Sequence, residues 1–208
     1  WISKYKKSEG NELLDVACGT GKHLQFLKNN FKCTGIDISK DMLKVAKSKV
    51  KGVSFRQGNM TGFNLKKKFD IVLCLFSSIV HLKNYANLRK AIDNLSRHLK
   101  AGGVLILESF IEKSDFIEDH VYLSSFDGKD VKIARIGTSK LSKKGVMIWY
   151  THYLIGKDSK VMHLEDVDEL MLFERKKICQ IMGKFKLKTK IINKGLMKDR
   201  AVFIAVRE

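Results

Sequence analysis

Three polar residues of this 208-residue chain, Asp15, Asp37 and Asn59, recur at equal spacing, each closing or following a short apolar run. Between the first two stand Gly19, Thr20 and Gly21, a pair of glycines one residue apart where a ligand can approach the backbone closely. An acid at the end of a second strand can accept both ribose hydroxyls of a nucleoside lying across the strand ends. A carboxamide after the third strand can pair with an adenine amino edge, with Met60 packed beside the ring. The competing ligand is a dinucleotide, whose loop carries a third glycine where this chain has Leu24. Without that glycine the pattern points to a nucleoside lacking phosphates. Two further groups could move a proton: His81, just past the apolar run Phe69–Phe76, and Glu108, at the end of "VLILE".

Those residues need a scaffold that brings them to one rim. The runs Glu12–Cys18, Lys32–Ile38, "VSFRQGN", Phe69–Phe76 and Val104–Phe110 have strand character. Helical spacing occupies Gly21–Asn30, Ser39–Val50, opened by a capping serine, and Tyr85–Leu99, stopped by "KAGG". Such alternation predicts a parallel sheet covered by helices on both faces, with polar strand ends facing one crevice. After Ser114 come partly alternating stretches separated by Asp127-Gly128 and Lys144-Gly145, as in an antiparallel insertion. A helix over Phe173–Phe185 and two closing strands, "KLKTKIIN" and "RAVFIAV", complete the chain. On this scaffold the glycine loop reads as the seat of an adenosyl ligand, its methionine end against the glycines.

Composition narrows the class. Forty-four per cent hydrophobic residues suit one compact domain, and no apolar run is long enough to span a bilayer. Four scattered cysteines without a CxxC pair read as reduced thiols of a cytoplasmic protein. The net charge of +18 admits nucleic acid, yet the lysines are spread along the whole chain with no arginine–aromatic cluster. The acids and histidine of "MHLEDVDEL" do not follow a metal-ligand spacing, so no metal is expected. His98, in the last turn of a helix, reads as structural, favoured by the helix dipole.

"LLDVACGTG", "GIDIS" with "DML", "QGNM", "FDIVLCLFSSIVHL" and "LKAGGVLILE" resemble, in order and spacing, the motifs of class I S-adenosylmethionine-dependent methyltransferases. Within them, "FSSIVHL", "VLILESF", "THYLI" and "LMLFER" resemble the TDP-3-amino-sugar N,N-dimethyltransferases. The resemblance implies a Rossmann-like α/β fold: a seven-stranded, mostly parallel sheet with a reversed last strand, helices on both faces, and an antiparallel insertion after strand five. It implies one methyltransferase domain over 1–208, with 1–12 a remnant of an N-terminal lid, 13–114 the cofactor-binding core, 115–170 the insertion and 171–208 the closing helix and strands. It assigns Ala17, Cys18, Gly19, Thr20 and Gly21 to the methionine moiety, Asp37 and Ile38 to the ribose, and Asn59 and Met60 to adenine. Cys74, Phe76 and Ser77 are expected at the sulfonium, with His23 and Met42 completing the cofactor set. His81 and Glu108 are the catalytic candidates, and His152 and Arg200 the substrate-binding ones. Two features depart from the sugar enzymes: Ser109-Phe110 stand where those carry paired tryptophans, and "NKGLMKDR" has few of their glycines.

The expected reaction is methyl transfer from S-adenosylmethionine, leaving S-adenosylhomocysteine, to a small-molecule amine such as an amino sugar. The sulfonium methyl is already electrophilic, so alignment, which supplies roughly 7–11 kcal/mol, outweighs a general base worth about 10²–10⁴-fold. An RNA (tRNA or rRNA) methyltransferase is an alternative, although the absence of proline excludes the proline-dependent amino-base and cytosine-C5 motifs. A noncatalytic S-adenosylmethionine-binding partner subunit is another. A homodimer joined through the exposed edges of the insertion is also expected.

Overall fold

The computed structural model describes residues 1–197 and 200–208. Contacts divide the chain into two compact units, Trp1–Ile111 with Phe173–Glu208, and Glu112–Leu172.

In the larger unit the chain runs α1 (Ile2–Tyr5), β1 (Glu12–Val16), α2 (Lys22–Leu27), β2 (Lys32–Asp37), α3 (Lys40–Lys49), β3 (Ser54–Gln57), β4 (Phe69–Cys74), α4 (Tyr85–Arg97) and β5 (Leu99–Glu108). The smaller unit carries β6 (Val121–Asp127), β7 (Lys132–Leu141), β8 (Val146–Lys157) and β9 (Lys160–Met171). The chain returns to the larger unit with α5 (Arg175–Lys184), β10 (Leu187–Ile192) and β11 (Val202–Arg207).

The larger unit is a seven-stranded sheet in the order β10-β11-β5-β4-β1-β2-β3. Strands β1 to β5 are parallel, and β11 runs antiparallel to both β5 and β10, which is the expected reversal. Every residue of β4 is buried, as a central strand covered on both faces must be. Leu13, Leu24, Leu43, Ala46, Phe55, Ile71, Leu73, Val104, Ile106, Val202 and Ile204 form the core between sheet and helices. Strand order reverses between β1 and β4, so the loops after those strands splay apart there, opening a crevice at the carboxyl rim.

Two boundaries differ from expectation. The helix before β5 ends at Arg97, two residues before the expected Leu99, and "KAGG", read as the helix stop, lies inside β5. Gly102 accepts the N–H groups of Lys7 and Ser8, and the β4–β5 register slips between Phe69 and Ile71, so the stretch pairs as an irregular strand. The close helix–strand packing that a third loop glycine gives dinucleotide-binding folds is supplied here by Gly35. A Cβ there would stand 2.7 Å from Phe55, 2.8 Å from the Cys18 sulfur and 2.8 Å from Leu24, so the room for close helix–strand packing comes from β2.

The smaller unit is an antiparallel sheet in the order β6-β7-β8-β9, spanning somewhat more than the 115–170 expected. Each strand pairs in unbroken register with the next. Edge strand β6 is exposed at all seven positions.

Candidate functional site

The glycine loop leaves β1 through three left-handed residues, Ala17 (φ 60), Gly19 (φ 53) and Gly21 (φ 76). For Gly19 and Gly21 this conformation costs little, and the space beyond Gly19 is open to 4 Å. Gly21 has a second reason to be glycine: a Cβ there would press on the Phe55 ring at 3.0 Å.

Asp37 closes β2 and ties the rim together. Its Oδ2 accepts the Gly19 N–H at 2.8 Å and its Oδ1 the Ser39 N–H at 2.9 Å. One carboxylate thus fixes the ligand loop and the entry to α3, where Ser39 caps the helix through the Met42 N–H at 3.2 Å. Each oxygen keeps a second lone pair for a hydroxyl. Around it Ile38 (64% exposed), Met42 (47%) and Phe76 (59%) set apolar surface on the rim, suited to the flat faces of a nucleoside.

Asp15, singled out by its spacing but given no ligand contact, carries the strongest electrostatic signal of the rim. It sits on β1, 1% exposed, and its Oδ2 has no hydrogen-bond partner among the described residues. Burial, and secondarily the Asp37 charge, push its pKa up to about 7. His23 Nδ1 lies 3.9 Å from that oxygen, but burial lowers the imidazole's own pKa and so disfavours the charged ring. A buried acid without a counter-charge, behind an open glycine loop, fits a ligand that carries its own ammonium. The signal was present in the sequence as the acid near the end of the first apolar run; its burial and unpaired oxygen were not.

Asn59 presents a different group from the one expected. Its Oδ1 accepts both the Thr61 N–H at 3.0 Å and the Thr61 hydroxyl at 2.9 Å. Both lone pairs are spent, so it does not accept from an adenine amino group. The amide N–H₂ is the part left for a ligand, a donor suited to a ring nitrogen. Met60, the next residue, is half-buried beside it.

At the end of β4, Phe76 (φ 53) and Ser77 (φ 58) are consecutive left-handed residues without being glycine, a conformation costing about 1–3 kcal/mol each. The end of β5 holds them there. Glu108 Oε2 accepts the Phe76 N–H at 2.6 Å, and the Ser77 hydroxyl donates to the Ser109 carbonyl at 2.8 Å. Two residues expected at the sulfonium lie inward here. Cys74 and Ser77 are 0% and 3% exposed, so their side chains offer no surface to a sulfonium; burial pushes the Cys74 thiol up to about 12. Phe76 is the member of that segment turned outward, its ring 5.4 Å from that of His23.

Glu108 is fully buried, with Oε1 unpartnered among the described residues and its pKa raised, burial outweighing the Phe76 N–H and the Arg200 charge. Its bond goes to Phe76 and not to His81, so the geometry gives it a shaping role in this turn. Arg200 lies over the rings of Phe110 at 5.1 Å and Phe76 at 5.9 Å. Lys198 and Asp199 of the same stretch lie outside the described residues. His81 ends the short turn Ser78–His81 and is exposed. His152 stands on β8 of the smaller unit, with its Nδ1 3.1 Å from His163 Nε2. His98 is structural by another route than the dipole: Nδ1 donates to the Asn94 carbonyl at 2.8 Å and Nε2 accepts the Leu65 N–H at 3.2 Å. That arrangement requires a neutral ring, in line with a pKa lowered first by burial.

A crevice at the switch point of a mostly parallel sheet, with an acid closing the second strand and a glycine loop after the first, defines a nucleoside-binding Rossmann-like domain. Residues 13–103 match the family model "Methyltransferase domain". The chain is 33% identical over 165 residues to the dTDP-3-amino-3,6-dideoxy-alpha-D-glucopyranose N,N-dimethyltransferase of Streptomyces fradiae, covering 78% of this chain and 64% of that enzyme. To the dTDP-3-amino-3,4,6-trideoxy-alpha-D-glucopyranose N,N-dimethyltransferase of Streptomyces venezuelae it is 31% identical, over 84% of this chain and 74% of that one. Its fold superposes on DesVI of Streptomyces venezuelae with a TM-score of 0.93 at 27% identity, covering 100% of this chain and 87% of DesVI. CalS10, an amino pentose methyltransferase from Micromonospora echinaspora solved with S-adenosylmethionine bound, superposes with a TM-score of 0.90 at 28% identity, over 97% and 85% of the two chains. The chain belongs to the S-adenosylmethionine-dependent methyltransferases, alongside the dTDP-amino-sugar N,N-dimethyltransferases. The residues fit that cofactor: Asp15 lacks the cation that a methionine ammonium carries, Asp37 keeps lone pairs for ribose hydroxyls, and the glycine loop leaves space.

Proposed function

We propose that the protein transfers methyl groups from S-adenosylmethionine to the amine of a small-molecule acceptor, an amino sugar carried on a nucleotide. The observation that carries this reading is Asp15, an acid buried without a partner behind an open glycine loop, with Asp37 beside it on the same rim. Its relatives' acceptors, 3-amino sugars on dTDP, supply the substrate class. When bound, the cofactor supplies a methyl already activated by the sulfonium. The chain's part is then to hold the cofactor by Asp15 and Asp37, exclude water with Phe76, Ile38 and Met42, and align the acceptor nitrogen. In this reading His81 takes the proton an amine releases, and Arg200 serves the acceptor as the cation for an anionic group. Four unpaired thiols, three of them buried, support a reducing, cytoplasmic setting. The open edge of β6 supports pairing with a second copy, edge to edge.

The test is turnover of dTDP-3-amino sugars by the purified chain and by His81→Ala, with S-adenosylhomocysteine binding measured alongside. The proposal expects kcat to fall at least tenfold in the variant while cofactor affinity stays within a factor of two. Methylation of tRNA or rRNA but of no amino sugar overturns the acceptor assignment, and cofactor binding without turnover of any amine leaves a noncatalytic binding subunit.

A further inference from the structure

We propose that His152, His163 and Glu165 form a binding site for a divalent transition-metal ion of the zinc type on the smaller unit. The inference does not depend on the methyltransferase reading, since it uses only side chains of β8 and β9.

Sheet register creates the cluster. His152 stands directly opposite Glu165 in the β8–β9 ladder, and His163 lies two residues before Glu165, so all three project from one face of the sheet. Directly opposed side chains in an antiparallel pair are close neighbours, and diagonal ones remain within reach when they are long. His152 Nδ1 is 3.1 Å from His163 Nε2 and 3.5 Å from Glu165 Oε1, and His163 Nε2 is 3.9 Å from the same oxygen.

These separations suit a small ion. A point equidistant from the three atoms lies about 2 Å from each, matching zinc bonds to imidazole and carboxylate of about 2.0–2.2 Å. Ligand atoms of a tetrahedral site at that bond length stand about 3.3 Å apart, within the observed spread of 3.1 to 3.9 Å. Two imidazoles and one carboxylate are a donor set for zinc, copper or nickel, and an unsuitable one for calcium or magnesium, which take oxygen cages.

Without an ion the two imidazoles share one hydrogen bond, their planes 9° apart, so one of the facing nitrogens holds a proton. Metal binding needs both facing nitrogens bare. The protonated ring therefore shifts its proton to its outer nitrogen and both rings turn toward the ion, with no net change in charge on either imidazole. All three residues are exposed, so this rearrangement meets no packed core. Three protein ligands leave a fourth position on the ion open to water or to an oxygen donor of another molecule.

The test is zinc titration of the purified, chelator-treated chain, read by competition with a chromophoric zinc indicator, beside the variants His163→Ala and Glu165→Gln and a control, His120→Ala, at the residue that precedes β6. One equivalent is expected to bind the parent and the His120→Ala variant alike. His163→Ala and Glu165→Gln are each expected to weaken binding at least tenfold. In the unsubstituted chain, zinc is expected to shift the NMR ring signals of His152 and His163 and to leave those of His120 in place, a readout that needs no variant. Absence of binding overturns the proposal. So does binding that survives His163→Ala or Glu165→Gln unchanged, which assigns the ion to other groups such as the thiols.

Discussion

Replacing Asp15 by asparagine separates the two roles assigned to that acid. In the folded protein its pKa is about 7, against 3.8 for an ordinary aspartate. An acid with a higher pKa folded than unfolded binds more protons in the native state, so it costs stability progressively as pH rises from about 4 to about 7, after which the cost levels off. Roughly three pKa units at 1.36 kcal/mol each make that cost about 4 kcal/mol above pH 7, and only about 1.6 kcal/mol at pH 5. Asparagine keeps the shape and removes the charge, while leaving a buried amide that costs about 1–3 kcal/mol at either pH. The fixed cost cancels when the two conditions are compared. Urea unfolding of parent and Asp15→Asn at pH 5 and pH 8.5 is therefore expected to show the variant's relative stability improving by about 2–3 kcal/mol at the higher pH. Calorimetry at pH 8 is expected to show S-adenosylhomocysteine binding at least tenfold more weakly, because the ammonium loses its counter-charge. A change in relative stability below about 1 kcal/mol between the two pH values would refute the claim that Asp15 is an uncompensated buried acid.

Asp37→Asn removes an acceptor from either Gly19 or Ser39, because the amide nitrogen turns a donor toward a backbone N–H. Losing that charged hydrogen bond is expected to cost about 1–3 kcal/mol of stability in denaturant melts and, with the ribose contact, about 10–100-fold in affinity for S-adenosylhomocysteine. Gly35→Ala drives a Cβ to within 2.8 Å of the Phe55, Cys18 and Leu24 side chains, and is expected to destabilise by about 1–3 kcal/mol in the same assay; an unchanged midpoint contradicts the close-packing role given to Gly35.

The sheet was legible because its evidence is periodic and local. Apolar runs such as Phe69–Cys74 announce a strand buried on both faces, and the acid closing β2 falls where a switch-point crevice needs one. The interior of the site was less legible, because hydrogen-bond assignments are not written in spacing. Asn59 follows β3, yet Thr61, two residues on, takes its oxygen and reverses the polarity of what it can offer. Glu108 and Ser77 sit on neighbouring strand ends and bond the β4 turn, a long-range pairing between residues far apart in the chain. The His152–His163–Glu165 cluster was invisible for a related reason. Read along "MHLEDVDEL" the order matches no metal spacing; only the β8–β9 register brings His152 across to Glu165.

The account rests on the carboxyl rim of the sheet holding an adenosyl ligand by Asp15 and Asp37. Isothermal titration of S-adenosylhomocysteine into the purified chain tests it most directly. One equivalent binding to the parent, and weakened binding to Asp37→Asn, is the predicted result. Binding of NAD in preference, or an Asp37→Asn variant that folds and binds S-adenosylhomocysteine as the parent does, would contradict it.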